Sequence, residues 1–444
     1  MNQIWRYFRV TDYSPAAVIA LSFLLTIFIG TILLSLPIAH VGDLRFIDAL
    51  FFATSATTVT GLGVADTAST FTVFGEIVLM FLMQFGGIGL MTFSVAILII
   101  LKKKITLKQR IFLSDSYNQP SVGGMVRLVK GILLFVFTVQ SIAFVILTLH
   151  WTQRFPLGEA AYLAAFHVIS SFNNAGFSLF PDNLIGFQQD PFTLLLISSL
   201  FIVGGIGFIV VLEVFQKKRF RDWSLHTKLM IYGTLVLNCV AMVLFFLLEF
   251  RNPQTLASLS AIDQWANAYF AAVTPRTAGF NTLDYSQITD SSLMLTLLLM
   301  FIGGGTASTA SGIKLTTFIV LFLATLAFFR NDEEPFIFGR TIKKEVVMRS
   351  FAITVISMFT IGLLFFFVTI TEKMDFDPLL FEVVSAFGTV GLSMGITADL
   401  SDLGKLLICV AMFIGRIGPL TLFFFLARPK DRHFRYAYDQ VYTG

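Results

Sequence analysis

Charge is scarce in this chain: only 13% of its 444 residues are Asp, Glu, Lys or Arg, against 56% hydrophobic ones and a mean hydropathy of +0.81. So little polar surface cannot cover a water-soluble globule and places the chain in lipid. Cysteine is nearly absent. Cys239 and Cys409 both sit inside apolar runs, where a free thiol behaves as a small hydrophobe, so neither a disulfide nor a metal is indicated. H-E-x-x-H, G-x-S-x-G and any clustered Asp-rich motif are missing, which argues against a membrane-embedded enzyme. A phosphate-binding loop is excluded too, because Gly312 is followed by Ile313 before Lys314 and the G-x-x-x-x-G-K spacing fails.

What is present is long apolar sequence. A helix needs about 20 mostly apolar residues to cross the hydrocarbon, and eight segments qualify, beginning near Ala16, Val73, Gly131, Phe192, Leu229, Leu293, Phe351 and Leu406. The first is preceded by Arg6 and Arg9, but its apolar run continues to Leu36, beyond a cleavable signal core, and reads as a retained span. The basic residues divide unevenly between the two sides. Of the 31 Lys and Arg, 23 fall in the termini and in loops such as KKKITLKQR and QKKRFRDWSLHTK, and five in the opposite loops. Arg276, Lys314 and Arg416 lie within predicted membrane structure. Both termini are therefore expected in the cytoplasm. The net charge of +4 reflects this bias toward anionic lipid heads and gives no argument for nucleic acid.

The opposite connections repeat: RFIDALFFATSATTVTGL, AAYLAAFHVISSFNNAGF, WANAYFAAVTPRTAGF and DPLLFEVVSAFGTVGL. Aligned on Gly61, Gly176, Gly279 and Gly391, an aromatic stands ten residues earlier (Phe51, Phe166, Tyr269, Phe381). Six residues earlier stand Ser55, Ser170, Val273 and Ser385. A second glycine opens FGGIGL, VGGIGF, IGGGTAS and IGRIGPL some 24 to 28 residues downstream. Four units follow: 1–115, 116–220, 221–340 with a broken second span, and 341–444 with the tail. Each is span, half-helix of about ten residues, glycine turn, span. The expected fold is all-α, with eight transmembrane helices in pseudo-fourfold symmetry about one pore.

The turns are Thr58-Val59-Thr60-Gly61, Asn173-Asn174-Ala175-Gly176, Arg276-Thr277-Ala278-Gly279 and Gly388-Thr389-Val390-Gly391. They offer backbone carbonyls of the kind that replace a potassium ion's hydration shell. Each closing glycine suits positive φ, and the half-helices would aim their negative ends at a central cation. The glycines of FGGIGL and VGGIGF read first as helix-packing residues. Arg276 is expected to brace its hairpin from behind, through carbonyls or a carboxylate. His167, where other units have Phe52, Phe270 and Glu382, reads as a packed histidine without metal partners.

The sixth apolar segment, 293–329, would reach about 55 Å as one helix, beyond a core of about 30 Å. It is interrupted by Gly303, Gly304, Gly305, Thr306, Ala307, Ser308, Thr309, Ala310, Ser311, Gly312, Ile313 and Lys314. This stretch reads as an unwound gate in the pore, a static kink being the alternative. Arg416 inside the last span is a functional candidate by its placement. The preferred position is the pore wall, where it would hold back leak; the alternative is an ion pair with Glu213 or Glu76. An inverted-repeat secondary cation transporter is the rival overall reading, disfavoured by parallel repeats and few intramembrane carboxylates.

The turns TVTGL, NNAGF, RTAGF and GTVGL, with GGGTASTASGIK and IGRIGPL, resemble the Trk/Ktr/HKT superfamily of potassium transporters over essentially the whole chain. About fifteen residues precede the first repeat, which favours the membrane subunit of the Ktr branch over Trk-type relatives with two further spans. The resemblance implies sodium-promoted potassium uptake and a potassium preference from Gly61. It implies that 303–314 is the gate and that Arg416 lies beneath the filter. It also implies a homodimer on a cytosolic ring of nucleotide-binding regulatory subunits, nucleotide being bound there and not on this chain. The basic loops Lys217 to Arg221 and Arg340 to Lys344 are expected to touch that ring.

Overall fold

Apolar runs closed by polar caps set the helices of this computed structural model, which describes residues 15–89, 125–306 and 308–418. Ala307, the basic loop 102–110 and both chain ends lie outside the described residues. The chain is mostly helical. The first stretch gives α1 (Pro15–Leu34), α2 (Phe46–Thr58) and α3 (Val73–Ile88), the second α4 (Met125–Trp151), α5 (Leu157–Phe172), α6 (Pro191–Gly205) and α7 (Phe208–Gln216). There follow α8 (Leu225–Glu249), α9 (Ala261–Val273), α10 (Asp290–Phe301) and α11 (Leu315–Arg330), then α12 (Lys344–Thr371), α13 (Phe376–Gly388) and α14 (Asp402–Ile417). A two-residue ribbon, Phe336–Ile337 against Arg340–Thr341, separates α11 from α12.

By length and composition α1, α4, α8 and α12 are long and apolar enough to cross a membrane, and α6 with α7, bent by 92° at their break, make up to five if the pair is one span. Leu24, Leu25 and Phe28 of α1 and Phe359, Phe366 and Ile370 of α12 are exposed, as a lipid-facing surface requires. Every apolar segment expected to span begins on or within a helix. Helices α4 and α12 start six or seven residues before the apolar run, because Arg127, Lys130, Lys344 and Arg349 occupy their first turns. The half-helices are 13, 16, 13 and 13 residues, longer than the ten expected, since their polar first turns add to the apolar stretch.

Helices α2, α5, α9 and α13 form the centre. The helix following each of the four also packs on the next: α3 on α5, α6 on α9, α10 on α13, and α14 back on α2. The core around them is dense, with Phe51, Phe52, Phe166, Phe270 and Phe381 fully buried. Glycines allow the close approach. A Cβ on Gly86, Gly204 or Gly415 would collide with the carbonyl oxygen of Thr57, Phe172 or Phe387, each four residues before its unit's turn glycine. The glycine reading of FGGIGL and VGGIGF as packing residues therefore describes Gly86 and Gly204.

The start of each following helix is stapled to the end of the long helix before it. Glu249 accepts from the N–H and Oγ1 of Thr289, the N-cap of α10, both at 2.8 Å. Glu372 accepts from the N–H (3.1 Å) and Oγ (2.5 Å) of Ser401, the N-cap of α14. His150 Nε2 meets Asp190, the N-cap of α6, at 3.0 Å, and Thr72, the N-cap of α3, donates to Ala39 and Ile38 oxygens. These carboxylates satisfy helix-end N–H groups that lipid could not.

Candidate filter and unwound segment

Each central helix ends in the same backbone turn. The residue two before the glycine is left-handed in all four (Val59 φ 50°, Asn174 φ 59°, Thr277 φ 70°, Thr389 φ 48°), and the glycines follow at φ 97°, 70°, 76° and 95°. Left-handed φ at β-branched Val59, Thr277 and Thr389 is strained and is held by its surroundings. Nothing in the residue types marks it beyond the glycine two residues on.

Local hydrogen bonds fix the turns. The N–H of Gly61 donates to Ser55 Oγ (3.0 Å) and that of Gly391 to Ser385 Oγ (3.1 Å), so the serines six residues earlier are the posts of the first and fourth hairpins. In the second, Ser170 Oγ donates to the Phe177 carbonyl (2.7 Å). In the third, Thr274 Oγ1 donates to the Phe280 carbonyl (2.5 Å). The third turn is also tighter, the Ala278 N–H bonding Thr274 where the other units reach five residues back to the serine. Pro275, which has no N–H to give a helix, ends α9 early and forces this change.

The four turns meet in order. A Cβ on Gly61 would stand 2.5 Å from the carbonyl oxygen of Ala175, and one on Gly176 3.0 Å from that of Ala278. One on Gly279 would collide with the carbonyl of Val390, and one on Gly391 with that of Thr60. Each glycine thus faces the oxygen just before the next hairpin's glycine, and the fourth returns to the first.

Nine residues before three of the four glycines, one side chain steadies the segment leaving the turn. His167 donates through Nδ1 to the Leu163 carbonyl (2.8 Å), leaving Nε2 to accept from Ser178 Oγ (3.0 Å). Glu382 accepts from Ser393 Oγ (2.7 Å) and Thr397 Oγ1 (2.6 Å). Ser178 and Ser393 both lie two residues past their glycines. Phe52 fills this place against Gly63. His167 is buried and fully engaged, and no group of His, Cys, Asp and Glu among the described residues suits a metal.

The interruption between α10 and α11 is unwound and doubles back on itself. Ile302 and Ile313 form a parallel bridge, with Gly303 N–H on the Ile313 carbonyl (2.8 Å) and Leu315 N–H on that of Gly304 (3.1 Å). Gly305 and Thr309 N–H groups reach the carbonyls of Gly205 and Gly204 at the end of α6 (2.8 and 3.2 Å). Thr309 Oγ1 donates to Asn174 Oδ1 (2.6 Å), so the segment lies directly against the second hairpin. Lys314 Nζ donates to the Ala310 carbonyl (2.9 Å), and Thr306 Oγ1 meets His226 Nε2 at 3.0 Å. The neighbouring α6 is itself broken at Ile206-Gly207, Gly207 having φ 110°, a bend that reading its glycines as packing residues missed.

Arg416 joins these parts. Its guanidinium donates to the carbonyls of Thr309 and Gly86 and to Ser311 Oγ (3.0 Å). The alternative ion pair does not form: Glu76 accepts from the Tyr162 hydroxyl, and Glu213 is taken by Lys217, Ser224 and Thr227. Arg276 points away from the turns and donates to Asn238 Oδ1 on α8 (2.8 Å), an amide oxygen where carbonyls or a carboxylate were expected. Asn173 is likewise turned outward, donating to Gln84 Oε1 (2.7 Å).

The comparisons with known proteins agree with this architecture. The TrkH family, described as cation transport proteins, matches residues 13–436. The chain is 50% identical to Ktr system potassium uptake protein B of Bacillus subtilis, over 97% of each chain, and 43% identical to the protein of that name from Vibrio alginolyticus, over 96% of this chain and 94% of that one. It is 36% identical to potassium/sodium uptake protein NtpJ of Enterococcus hirae over 97% of each. Among solved structures, the potassium transporter TrkH of Vibrio parahaemolyticus superposes with a TM-score of 0.74 at 19% identity, covering 95% of this chain and 86% of that one. These relatives are named as transporters and not as enzymes. With its helical, multi-pass architecture and its four converging turns, the chain belongs to the TrkH family of cation transport proteins.

Proposed function

We propose that this chain is the ion-translocating subunit of a Ktr-type potassium uptake system, built as eight spans in four repeats (1–115, 116–220, 221–340 and 341–444) around one pore. The observation that carries the reading is the cyclic approach of Gly61, Gly176, Gly279 and Gly391, each to the carbonyl before the next glycine. Residues 58–61, 173–176, 276–279 and 388–391 are the filter. Their carbonyls replace the ion's water, and the negative ends of α2, α5, α9 and α13 favour a cation.

Residues 303–314 form the gate, and Arg416 beneath the filter holds it. A loop bonded to α6, to hairpin two and to α14 at once can switch only by exchanging these bonds, which suits a two-position barrier. Both termini are cytoplasmic by the bias of basic residues. The relatives named for potassium and for potassium/sodium uptake support potassium as cargo and sodium as promoter. The Ktr-system name supports a cytosolic regulatory partner, here a ring of nucleotide-binding subunits beneath a homodimer, met by Lys217 to Arg221 and Arg340 to Lys344.

The test is potassium and sodium flux into liposomes carrying purified protein, wild type against Gly61→Ser. The expected result is potassium-selective flux that admits sodium in the variant. Unchanged selectivity would move the filter elsewhere.

A further inference from the structure

Behind the third hairpin lies a cavity of about 20 Å³ lined by Phe201, Gly205, Thr234, Asn238, Arg276 and Gly304, among others. That exceeds the least space a single water needs and admits one small guest. Two residues that line it hold polar atoms without partners: Arg276 Nε and Thr234 Oγ1 are buried without a hydrogen bond, in residues 9% and 7% exposed. The guanidinium makes one bond, to the neutral Asn238 Oδ1, and among the described residues no carboxylate pairs with it.

The guest must therefore accept hydrogen bonds from a guanidinium and a hydroxyl. A water molecule would satisfy the two atoms but leave the charge uncompensated at membrane depth, where an unpaired buried cation is strongly disfavoured. A small monovalent anion satisfies both demands. It would also shield the third turn, three residues from Arg276, from a positive charge that opposes a cation there.

We infer that Arg276, Thr234 and Asn238 form a buried halide-sized anion site behind the third hairpin, bounded on its far side by Gly304 of the unwound segment. The site is a static counter-charge to the hairpin. It does not rest on which cation the protein carries.

The full-length protein is crystallised with potassium bromide in place of chloride, and diffraction is recorded at the bromine edge. In solution, its unfolding midpoint is measured in chloride against gluconate at constant potassium, for wild type and Thr234→Val. The expected results are an anomalous peak within about 3.5 Å of Arg276 Nε, and a saturable rise of the midpoint with chloride that Thr234→Val at least halves. An absent peak, with water alone in the cavity, would overturn the inference. So would a peak without chloride-dependent stability, which means binding at crystal concentration only. If Thr234→Val does not fold, the two wild-type measurements decide. Both read halide and not potassium flux, so their failure leaves the transport reading untouched.

Discussion

The guanidinium of Arg416, at the end of α14, donates to the main-chain oxygen of Thr309 in the middle of the unwound segment. The third and fourth units are thereby tied at one point, with Gly86 of α3 in the first unit held in the same grip. A charge-assisted bond of this kind contributes about 1.5–3 kcal/mol. Arg416→Ala is expected to raise basal potassium flux in liposomes by about tenfold or more, the shift in population that such a loss produces. Arg416→Lys is expected to restore only part of the block, because one ammonium cannot span acceptors on two segments. Flux equal to wild type in the alanine variant would show that the tether does not control passage.

Gly415→Ala would drive a methyl into the Phe387 carbonyl of the fourth central helix. Overpacking of this kind costs about 1–3 kcal/mol. The unfolding midpoint in detergent should fall clearly. Gly158→Ala in α5, whose methyl meets nothing within 4 Å, should leave it unchanged or raise stability by up to about 1 kcal/mol.

Glu372→Gln removes the carboxylate that holds the Ser401 cap of α14. The expected loss is about 1–2 kcal/mol, read as a lower unfolding midpoint with the selectivity between potassium and sodium intact. A selectivity change without a stability change would mean that the staple acts on the turns directly.

Asp190 gives a pH signature. Burial alone would raise its carboxyl, but His150 and the Thr193 hydroxyl and N–H hold it below the ordinary value of 3.8. A carboxyl lowered by folding contributes stability above its unfolded value and loses it as pH falls through the folded one. Wild type should therefore lose stability relative to Asp190→Asn as pH drops below about 4, in unfolding midpoints measured across that range.

The central architecture was legible because its constraints fall on residue type. A turn whose positive-φ residue is also pressed on a neighbouring carbonyl leaves no room for a side chain, so Gly61, Gly176, Gly279 and Gly391 stand out, and a polar, glycine-rich stretch such as 303–314 cannot continue a lipid-facing helix. Other features leave no such mark. The bend at Gly207 uses a glycine two residues after the packing glycines Gly204 and Gly205, and one letter serves both purposes. The staples at Glu249 and Glu372 look like ordinary interfacial carboxylates until the chain folds back. The partners of Arg416 are main-chain oxygens, which every residue carries and no sequence distinguishes.

The closing contact, Gly391 against Thr60, joins positions roughly 330 residues apart. A ribosome threading this chain into a bilayer releases the first hairpin long before its last neighbour exists, so that flank stays open until the fourth unit arrives. Pairings so distant in sequence are slow to form, and the final quarter of the chain therefore decides whether the earlier three ever become part of a closed ring.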